Sequence, residues 1–315
     1  MSDLPEKYEI VGIGANVHDT LISVSCYPNE DTKLKAKNVK ECGGGPCATG
    51  LVAASKLGAS CAYLGFLSDD SNGNFLREDM KRFGVLDKFV RIKNGFQSFS
   101  SYVLLNEENA SRTCVFYKGN LPNLILDDEQ KNAISCADIL MVDGNDLDAA
   151  LAGAKIAKEN GTKVLYDAGG LYDGVEKLLP LADILIPSEE FAMAHTKENN
   201  PKDACKKLYS MYSPQAVVVT CGKLGGILFD GKTLTNYPAF PVDAVDSNGS
   251  GDVFHGAFAF GLTKNLDYEK CCIFSSAVSA LKCTKIGARD GVPKLYEVLE
   301  FLEERGYNEF KKDME

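Results

Sequence analysis

Residues 246–252 read DSNGSGD, and residues 253–262, which follow them, read VFHGAFAFGL. The apolar side chains of the second stretch recur at helical spacing, which predicts a glycine loop leading into a helix. The first turn of a helix has unpaired N–H groups and the positive end of the helix dipole, so this loop is suited to holding an anion. Asp252 falls in that turn, where its carboxylate would face the anion as a general base. From this stretch alone, a glycine turn with Asp252 as a helix cap explains the pattern equally well.

Composition limits the classes of function. The chain has 315 residues, of which 45% are hydrophobic, and a formal net charge of −10. This length is compatible with one large α/β core, and an acidic chain without a basic block argues against nucleic acid and anionic membranes as partners. Eleven cysteines without a CxxC pair and three histidines without zinc-site spacing indicate reduced thiols rather than disulfides or a metal centre. With no signal segment and no membrane-length apolar run, we expect a cytoplasmic protein.

Beyond residue 120 the sequence alternates between short apolar runs and amphipathic segments. Typical runs are ADILMVDG (137–144), KVLYDAGG (163–170) and AVVVTCG (216–222). This alternation predicts a parallel sheet covered by helices on both faces, in a single domain spanning residues 1–315.

Two segments, about 18–42 and 95–119, depart from this pattern because polar and apolar residues alternate in them. They predict strands with one solvated face, including a strand at 33–37 and a hairpin over 97–117. Ligands of open α/β sheets bind beyond the carboxyl ends of the strands, so we expect these strands to form a lid over the site. Residues 43–46, GGGP, open a helix of small residues, and they suit either a ligand-binding backbone or a plain turn.

Taken together, these motifs resemble the ribokinase-like (PfkB) carbohydrate kinases. One signature is GGPCAT (44–49), and the other is DSNGSGD (246–252), similar to the family's DTxGAGD. GANVHD (14–19) matches the family's element before the first lid strand. The motifs come in family order, and the resemblance covers nearly the whole chain.

The resemblance implies a three-layer α/β/α fold with a mostly parallel sheet and a small β lid. It implies transfer of the γ-phosphate of ATP, assisted by Mg²⁺, to a sugar hydroxyl. By the same matching, the implied site comprises Asp252 as base with Gly249, Ser250 and Gly251 as anion hole; Asn16, Asp19, Lys33, Gly44, Gly45 and Thr49 for the sugar; Ser188, Thr220, Gly222, Gly225 and Gly226 for the nucleotide; and Asp246, Asn248 and Gly287 for a monovalent cation such as K⁺.

The chain departs from the family pattern at two elements. Thr49 stands where the family usually has asparagine, and a hydroxyl cannot replace both groups of an amide. SEEF (188–191) stands in place of the family's NxxE, so Glu189 or Glu190 is the substitute implied for the Mg²⁺-linked carboxylate.

Several stretches are most similar to the sulfofructose kinase branch of the family. Lys33 matches one of that branch's three sulfonate-pocket residues, whereas the other two positions fall near Phe116 and Gly144. The sequence therefore favours an uncharged, ketose-like sugar, unless Arg112, Lys118 or Arg289 reaches the pocket. A sulfofructose or sugar-phosphate kinase, a nucleoside kinase of the same fold and, least favoured, a non-catalytic sugar sensor remain as alternatives.

The remaining polar residues have less specific interpretations. His18 and His255 are expected to pack or form hydrogen bonds rather than to catalyse. Asp143 and Asp167 end strands at the ligand edge, where either substrate contact or capping suits them. Arg289 suits a solvated position or a phosphate contact. Because exposed strand edges tend to pair, we expect a homodimer formed through the lid.

Overall fold

The computed structural model describes residues 7–108 and 111–314. The described residues form strands at these positions: β1 Ile10–Ile13, β2 Val17–Val24, β3 Asn38–Gly44, β4 Cys61–Tyr63, β5 Gly65–Ser68, β6 Val90–Lys93, β7 Ser100–Asn106, β8 Arg112–Tyr117, β9 Ile139–Val142, β10 Lys163–Ala168, β11 Ile184–Pro187, β12 Ala216–Thr220, β13 Gly226–Phe229 and β14 Leu234–Tyr237.

The α-helices are α1 Pro46–Leu57, α2 Ser71–Arg82, α3 Asp128–Cys136, α4 Leu147–Asn160, α5 Glu189–Thr196, α6 Pro201–Tyr212, α7 Ser250–Thr263, α8 Tyr268–Cys283, α9 Leu295–Glu303 and α10 Glu309–Met314. Short 3₁₀ turns lie at Val175–Lys177, Leu179–Leu181 and Gly222–Leu224.

The main sheet has eight strands in the order β14-β13-β12-β11-β10-β9-β1-β4. From β12 to β4 all neighbours are parallel, and β13 and β14 add an antiparallel edge. Two apolar cores fill the two faces of this sheet, one beneath α1, α7 and α8 and the other beneath α4, α5 and α6. The predicted α/β fold with a mostly parallel sheet is therefore confirmed. The loops that follow β1, β9, β10, β11 and β12 all begin at its carboxyl edge, so residues distant in sequence meet there.

A second sheet, with the order β3-β2-β7-β8, projects from that edge. Strand β2 pairs antiparallel with β3 and parallel with β7, which in turn forms a hairpin with β8. We call this sheet the lid. The hairpin's turn includes residues 109–110, which lie outside the described residues.

Two details of the predicted strands are wrong. Residues 25–37 form no strand, although the alternation at 33–37 predicted one. Lys33 and Leu34 are exposed there, so the alternation does not mark a buried face. The apolar run CAYLGFL, which by itself predicts one strand, divides into β4, which pairs with β1, and β5, which pairs with β6 in a separate sheet.

Helix α7 is buried from Val253 to Gly261 and packs against α1 and α8. This burial fixes the helix, so that its first turn lies at the carboxyl edge of the sheet. Every cysteine is a free thiol. Among the described residues, no helix has the length and apolar character needed to cross a membrane.

Candidate active site

The loop of residues 246–249, which we call the cradle loop, leads the chain into α7. Gly249 caps the helix in the left-handed region at φ 73°, and no side chain caps it. The first turn therefore presents N–H groups to an anion at the positive end of the helix dipole, although the Ser250 N–H itself donates to the Ser247 carbonyl at 3.2 Å. Gly251 is exposed and Asp252 is half-buried at this end of the helix. The predicted cradle and the predicted base thus lie side by side.

The surroundings of Asp252 favour a basic carboxylate. Burial raises the pKa of Asp252, the charge of Asp167 raises it further, and His255 acts in the opposite direction. Asp143 and Asp19 add smaller upward effects. A carboxylate with a raised pKa holds a proton more strongly than an ordinary aspartate, which suits it to taking a proton from an alcohol.

His255, one turn further along α7, is buried and joins three elements. Its Nδ1 lies 2.6 Å from the Gly251 carbonyl oxygen and 3.2 Å from Asp167 Oδ2, and its Nε2 lies 2.9 Å from the Ile186 carbonyl oxygen. Burial lowers the pKa of this imidazole. These contacts agree with the expectation of a hydrogen-bonding residue that anchors α7 to β10 and β11. His18 packs edge-on against Phe75 at 4.9 Å between ring centroids, away from this cluster.

The residues predicted to hold the sugar at the lid and the start of α1 lie across from the cradle loop. We call Asn16, Asp19, Gly44 and Gly45 the sugar wall. Asp19 is buried on β2, and its Oδ1 accepts a hydrogen bond from Ser101 Oγ at 2.6 Å. Burial raises the pKa of Asp19, and the Ser101 hydroxyl lowers it. Gly44 lies so close to this carboxylate that any side chain there would overlap it. Asp19 and Gly45 line a cavity of about 180 Å³ together with Asn248 of the α7 loop. The predicted sugar wall and the cradle loop thus share one cavity.

A larger cavity, of about 720 Å³, adjoins the first and includes Asn16. The two cavities share Ala15, Phe99, Lys118, Asn145 and Tyr172 in their walls. The two cavities therefore adjoin one another between the lid and the carboxyl edge of the sheet.

Three predicted sugar residues, Lys33, Gly44 and Thr49, line neither cavity. Gly44 lies directly behind the Asp19 carboxylate, which does line one. Lys33 is exposed in the loop between β2 and β3 and lines neither cavity. Thr49 is completely buried in α1, and its hydroxyl has no hydrogen-bond partner. Neither side chain faces the cavities, because Lys33 is exposed to solvent and Thr49 is buried in the core.

Two cations do line the smaller cavity. Arg112 of β8 and Lys118 both contribute to its wall. The Arg112 guanidinium approaches Ser247 of the cradle loop, with 3.5 Å between Nη1 and Oγ. Lys118 Nζ lies 5.6 Å from the centre of the Tyr172 ring. The smaller cavity therefore carries more positive charge than Lys33 alone would have supplied.

Arg289 was expected either in solvent or against a phosphate, and the expectation of a solvated position is wrong. Its side chain is 1% exposed and lines neither cavity. Its guanidinium pairs with Asp79 Oδ2 at 2.8 Å, and its Nη2 donates to Asn16 Oδ1 at 2.7 Å and to the Gly44 carbonyl at 2.5 Å. The arginine thus connects α2 with two residues of the predicted sugar wall. No local sequence signal points to this role.

The carboxylate of Asp143, directly after β9, accepts hydrogen bonds from backbone N–H groups. Its carboxylate accepts N–H groups from Ala15 at 2.8 Å, from Cys47 at 2.9 Å and from Asn145 at 2.9 Å. Burial raises the pKa of Asp143, and these donors oppose the effect. Of the two interpretations of Asp143, capping is the one that fits. The residue holds the loop after β1 against the start of α1.

The predicted nucleotide residues gather at the ends of β11 and β12. Ser188 caps α5 by accepting the Phe191 N–H at 3.1 Å, and it lies beside Thr220 through a parallel bridge. Gly222 and Gly225 take positive φ values of 55° and 82° around an exposed turn, and Gly226 begins β13. Of the carboxylates at the start of α5, Glu189 is half-buried and Glu190 is exposed.

The residues predicted to hold a monovalent cation tie two loops together. Asp246 accepts the Asn248 N–H through Oδ1 and the Gly287 N–H through Oδ2, both at 2.8 Å. This carboxylate therefore joins the cradle loop to the loop after α8. Among the described residues, no cluster of three or more acidic, histidine or cysteine side chains could by itself hold a metal ion.

Comparisons with known proteins agree with this arrangement. The family model described as "pfkB family carbohydrate kinase" matches residues 14–295. A ribokinase of Lactococcus lactis is 30% identical over 302 residues, which cover 94% of this chain and 97% of that protein. A ketohexokinase of Mus musculus is 26% identical over 88% of this chain and 97% of its own. The solved structure of an Arabidopsis thaliana ribokinase complexed with ribose and ATP superposes with a TM-score of 0.85, at 24% identity, over 95% of this chain and 99% of that one.

Proposed function

The chain belongs to the pfkB family of carbohydrate kinases, and we propose that it phosphorylates a small neutral sugar, ketose-like in character, with Asp252 as the general base. As a family member it is an ATP-dependent sugar kinase, so the proposal concerns the acceptor and the residues. The observation that carries it is the juxtaposition of Asp252, with its raised pKa, and the uncapped start of α7.

The residues suggest a division of labour. Asp252 accepts the proton of the sugar hydroxyl as that oxygen attacks the γ-phosphorus. The N–H groups of Gly249, Ser250 and Gly251 stabilise the negative charge on the phosphoryl oxygens. Asp19, Asn16 and the backbone at Gly44 and Gly45 hold the sugar's other hydroxyls. Closure of the lid excludes water and limits hydrolysis of ATP.

The nucleotide is assigned to the turn at Gly222 and Gly225 and to the start of α5. Mg²⁺ is usually held by one or two carboxylates together with the substrate's phosphates, so the absence of a carboxylate cage among the described residues is compatible with it. Glu189, half-buried in the first turn of α5, fits such a role better than the exposed Glu190. When bound, the ion neutralises charge on the β- and γ-phosphates.

A second acceptor class is favoured by Arg112 and Lys118, which both line the smaller cavity. Paired cations suit a sugar that carries a phosphate or a sulfonate, as in the sulfofructose kinase branch. Against this, the buried carboxylate of Asp19 lies in the same wall and disfavours an anion nearby. Arg112 also approaches the cradle loop, where the transferred phosphoryl group itself can use its charge. We therefore keep the neutral sugar as the first proposal.

An acceptor panel and one variant test the proposal. ADP release is measured with fructose, ribose, fructose 6-phosphate, sulfofructose and a set of nucleosides. We expect neutral sugars to give the highest kcat/KM, and preference for the anionic sugars would favour the second class. Asp252→Asn should lower kcat by about 10²–10⁴-fold while sugar and ATP still bind, because the proton acceptor is lost.

Asp243→Asn is the matched control, since Asp243 is exposed on the segment that leads to the cradle loop. The control variant should keep the parent's turnover. Wild-type turnover in Asp252→Asn would refute the assignment of the base.

We also propose that two copies associate through the lid. Every residue of the edge strand β8 is exposed, including Val115, Phe116 and Tyr117, and Tyr102 of β7 is 51% exposed. An apolar exposed edge strand tends to pair with another chain. Sedimentation velocity of the purified protein decides between a dimer and a monomer. We retain the cytoplasm as the proposed location, since the substrates ATP and sugar are met there.

A further inference from the structure

A lysine lies completely buried beneath the cradle loop. Lys282, in the last turn of α8, is 0% exposed, and its Nζ donates a hydrogen bond to the Asp246 backbone carbonyl at 2.7 Å. The same nitrogen lies 3.8 Å from Asp246 Oδ2, whose side chain is 7% exposed. Lysine is almost never fully buried unless it is paired, so the contacts with Asp246 are what make this position tolerable.

Lys282 faces both polar groups of Asp246, the backbone carbonyl and the carboxylate. The carboxylate is in turn held by two backbone N–H groups, from Asn248 and Gly287. The ammonium group is thus one member of a largely buried set of polar groups that connects α8, the cradle loop and the loop after α8.

These contacts use the groups that the family resemblance assigns to a monovalent cation. The Asp246 carbonyl oxygen already accepts from Lys282, and both carboxylate oxygens already accept N–H donors. An additional K⁺ at this position would meet an ammonium group within hydrogen-bond distance of the same carbonyl. The two cations would repel one another in a buried setting, where charge interactions are strong. The residues present therefore do not fit an exchangeable K⁺ that uses Asp246.

We propose that the Lys282 ammonium group serves as a covalently attached monovalent cation, so that this kinase does not depend on potassium. The group holds the loop of residues 246–249 in the shape that leads into α7. It acts as a positioning residue, because it contacts Asp246 rather than any substrate.

The first test uses the unaltered protein. kcat and Tm are measured in KCl, NaCl and choline chloride at equal ionic strength. We expect kcat to agree within about twofold and Tm within about 1 °C, because a site already filled by lysine gains no stabilisation from added K⁺. Activation of about tenfold or more by K⁺, or a rise in Tm specific to K⁺, would overturn the proposal, since a bound ion stabilises the folded state in proportion to its occupancy.

The second test removes the charge. Lys282→Met keeps the aliphatic length without the ammonium group, and Lys285→Met is the control, because Lys285 lies nearby with its side chain 50% exposed and pairs with Glu297 at 3.1 Å. We expect the Lys282 variant to lose about tenfold in kcat and to melt lower, because it leaves the Asp246 carbonyl unpaired, whereas the control matches the parent. Parental kcat and Tm in Lys282→Met would contradict the proposal.

A third variant separates charge from packing. Lys282→Ala leaves space for a free cation, so ammonium or potassium ions should raise its Tm and choline should not. A folded Lys282→Ala protein that shows no such cation-specific rise would reduce the lysine to a packing residue and overturn the proposal. If a variant does not fold, the cation series on the unaltered protein still decides. The Tm readout needs no acceptor, so it stays informative even if no sugar in the panel is phosphorylated.

Discussion

Replacing Arg289 by methionine tests how the sugar wall is held in place. The change removes the ion pair with Asp79 and the hydrogen bonds to Asn16 Oδ1 and to the Gly44 carbonyl. Methionine preserves much of the side chain's volume and flexibility, so the perturbation is mainly one of polar contacts. Asn16 and Gly44 then lose their shared partner.

The structure allows an estimate of the effect. Removing one partner of a buried ion pair costs about 3–5 kcal/mol, because the other charge is left uncompensated. Here Asp79 also receives Arg82 Nη2 at 2.8 Å, so it stays partly neutralised. We therefore expect a loss near the lower end, about 3 kcal/mol, equivalent to a fall in Tm of roughly 5–8 °C for a chain of this size.

The kinetic effect should be confined to one substrate. Loss of the charge-assisted bond that orients Asn16 should raise KM for the sugar about tenfold, whereas KM for ATP should change little. Denaturant unfolding and steady-state kinetics with each substrate varied in turn measure the two effects. Arg82→Met is the matched control, since it removes the more exposed of the two guanidinium groups that contact Asp79 and should cost at most about 1 kcal/mol.

Two outcomes would refute this reasoning. One is an Arg289→Met variant that is no less stable than Arg82→Met, which would mean that the buried pair contributes nothing. The other is an equal rise in KM for sugar and ATP, which would indicate general loosening rather than a local effect on Asn16 and Gly44. Additive effects in an Arg289→Met, Asp79→Asn double-mutant cycle would support the first of these refutations.

Two further predictions concern pH and the nucleotide turn. Because a general base works deprotonated and burial with Asp167 raises the pKa of Asp252, kcat/KM should fall about tenfold per unit once pH drops below that raised value, and a pH–rate profile that stays flat down to pH about 5 would contradict this. Gly225→Ala should raise KM for ATP about tenfold without changing KM for the sugar, since Gly225 has φ 82° and an added methyl group would overlap the Tyr237 carbonyl. An unchanged KM for ATP would show that this turn does not shape the nucleotide site.

Much of the architecture was accessible from local pattern. The short apolar runs after residue 120 became the parallel strands β9 to β12, and the helical spacing after Gly249 became α7. Such predictions succeed because burial of a strand or of a helix face imposes a period that a short window displays. The strand predicted at 33–37 is wrong, because this alternation lies in an exposed loop where no buried face imposes it.

The side-chain network of the site could not be predicted in this way. Arg289 bonds to Asn16 across 273 positions and to Asp79 across 210, and no window of sequence contains both partners. Thr49 shows the converse, because its place in a signature motif suggested a sugar contact although helix packing buries it completely.

By itself, the sequence determined the alternation of strands and helices, the glycine cradle before α7 and the carboxylate next to it, since each depends on neighbouring residues. Only the tertiary structure decided that Arg289 and Lys282 are buried, and that Asp246 and Asp143 are engaged by the backbone. Burial of a charge becomes favourable only when distant segments supply its partners, and those partners meet only once the chain has folded. The tertiary structure thus shows that the stretch DSNGSGD, which the sequence predicts to bind an anion, is also held in place by a buried lysine.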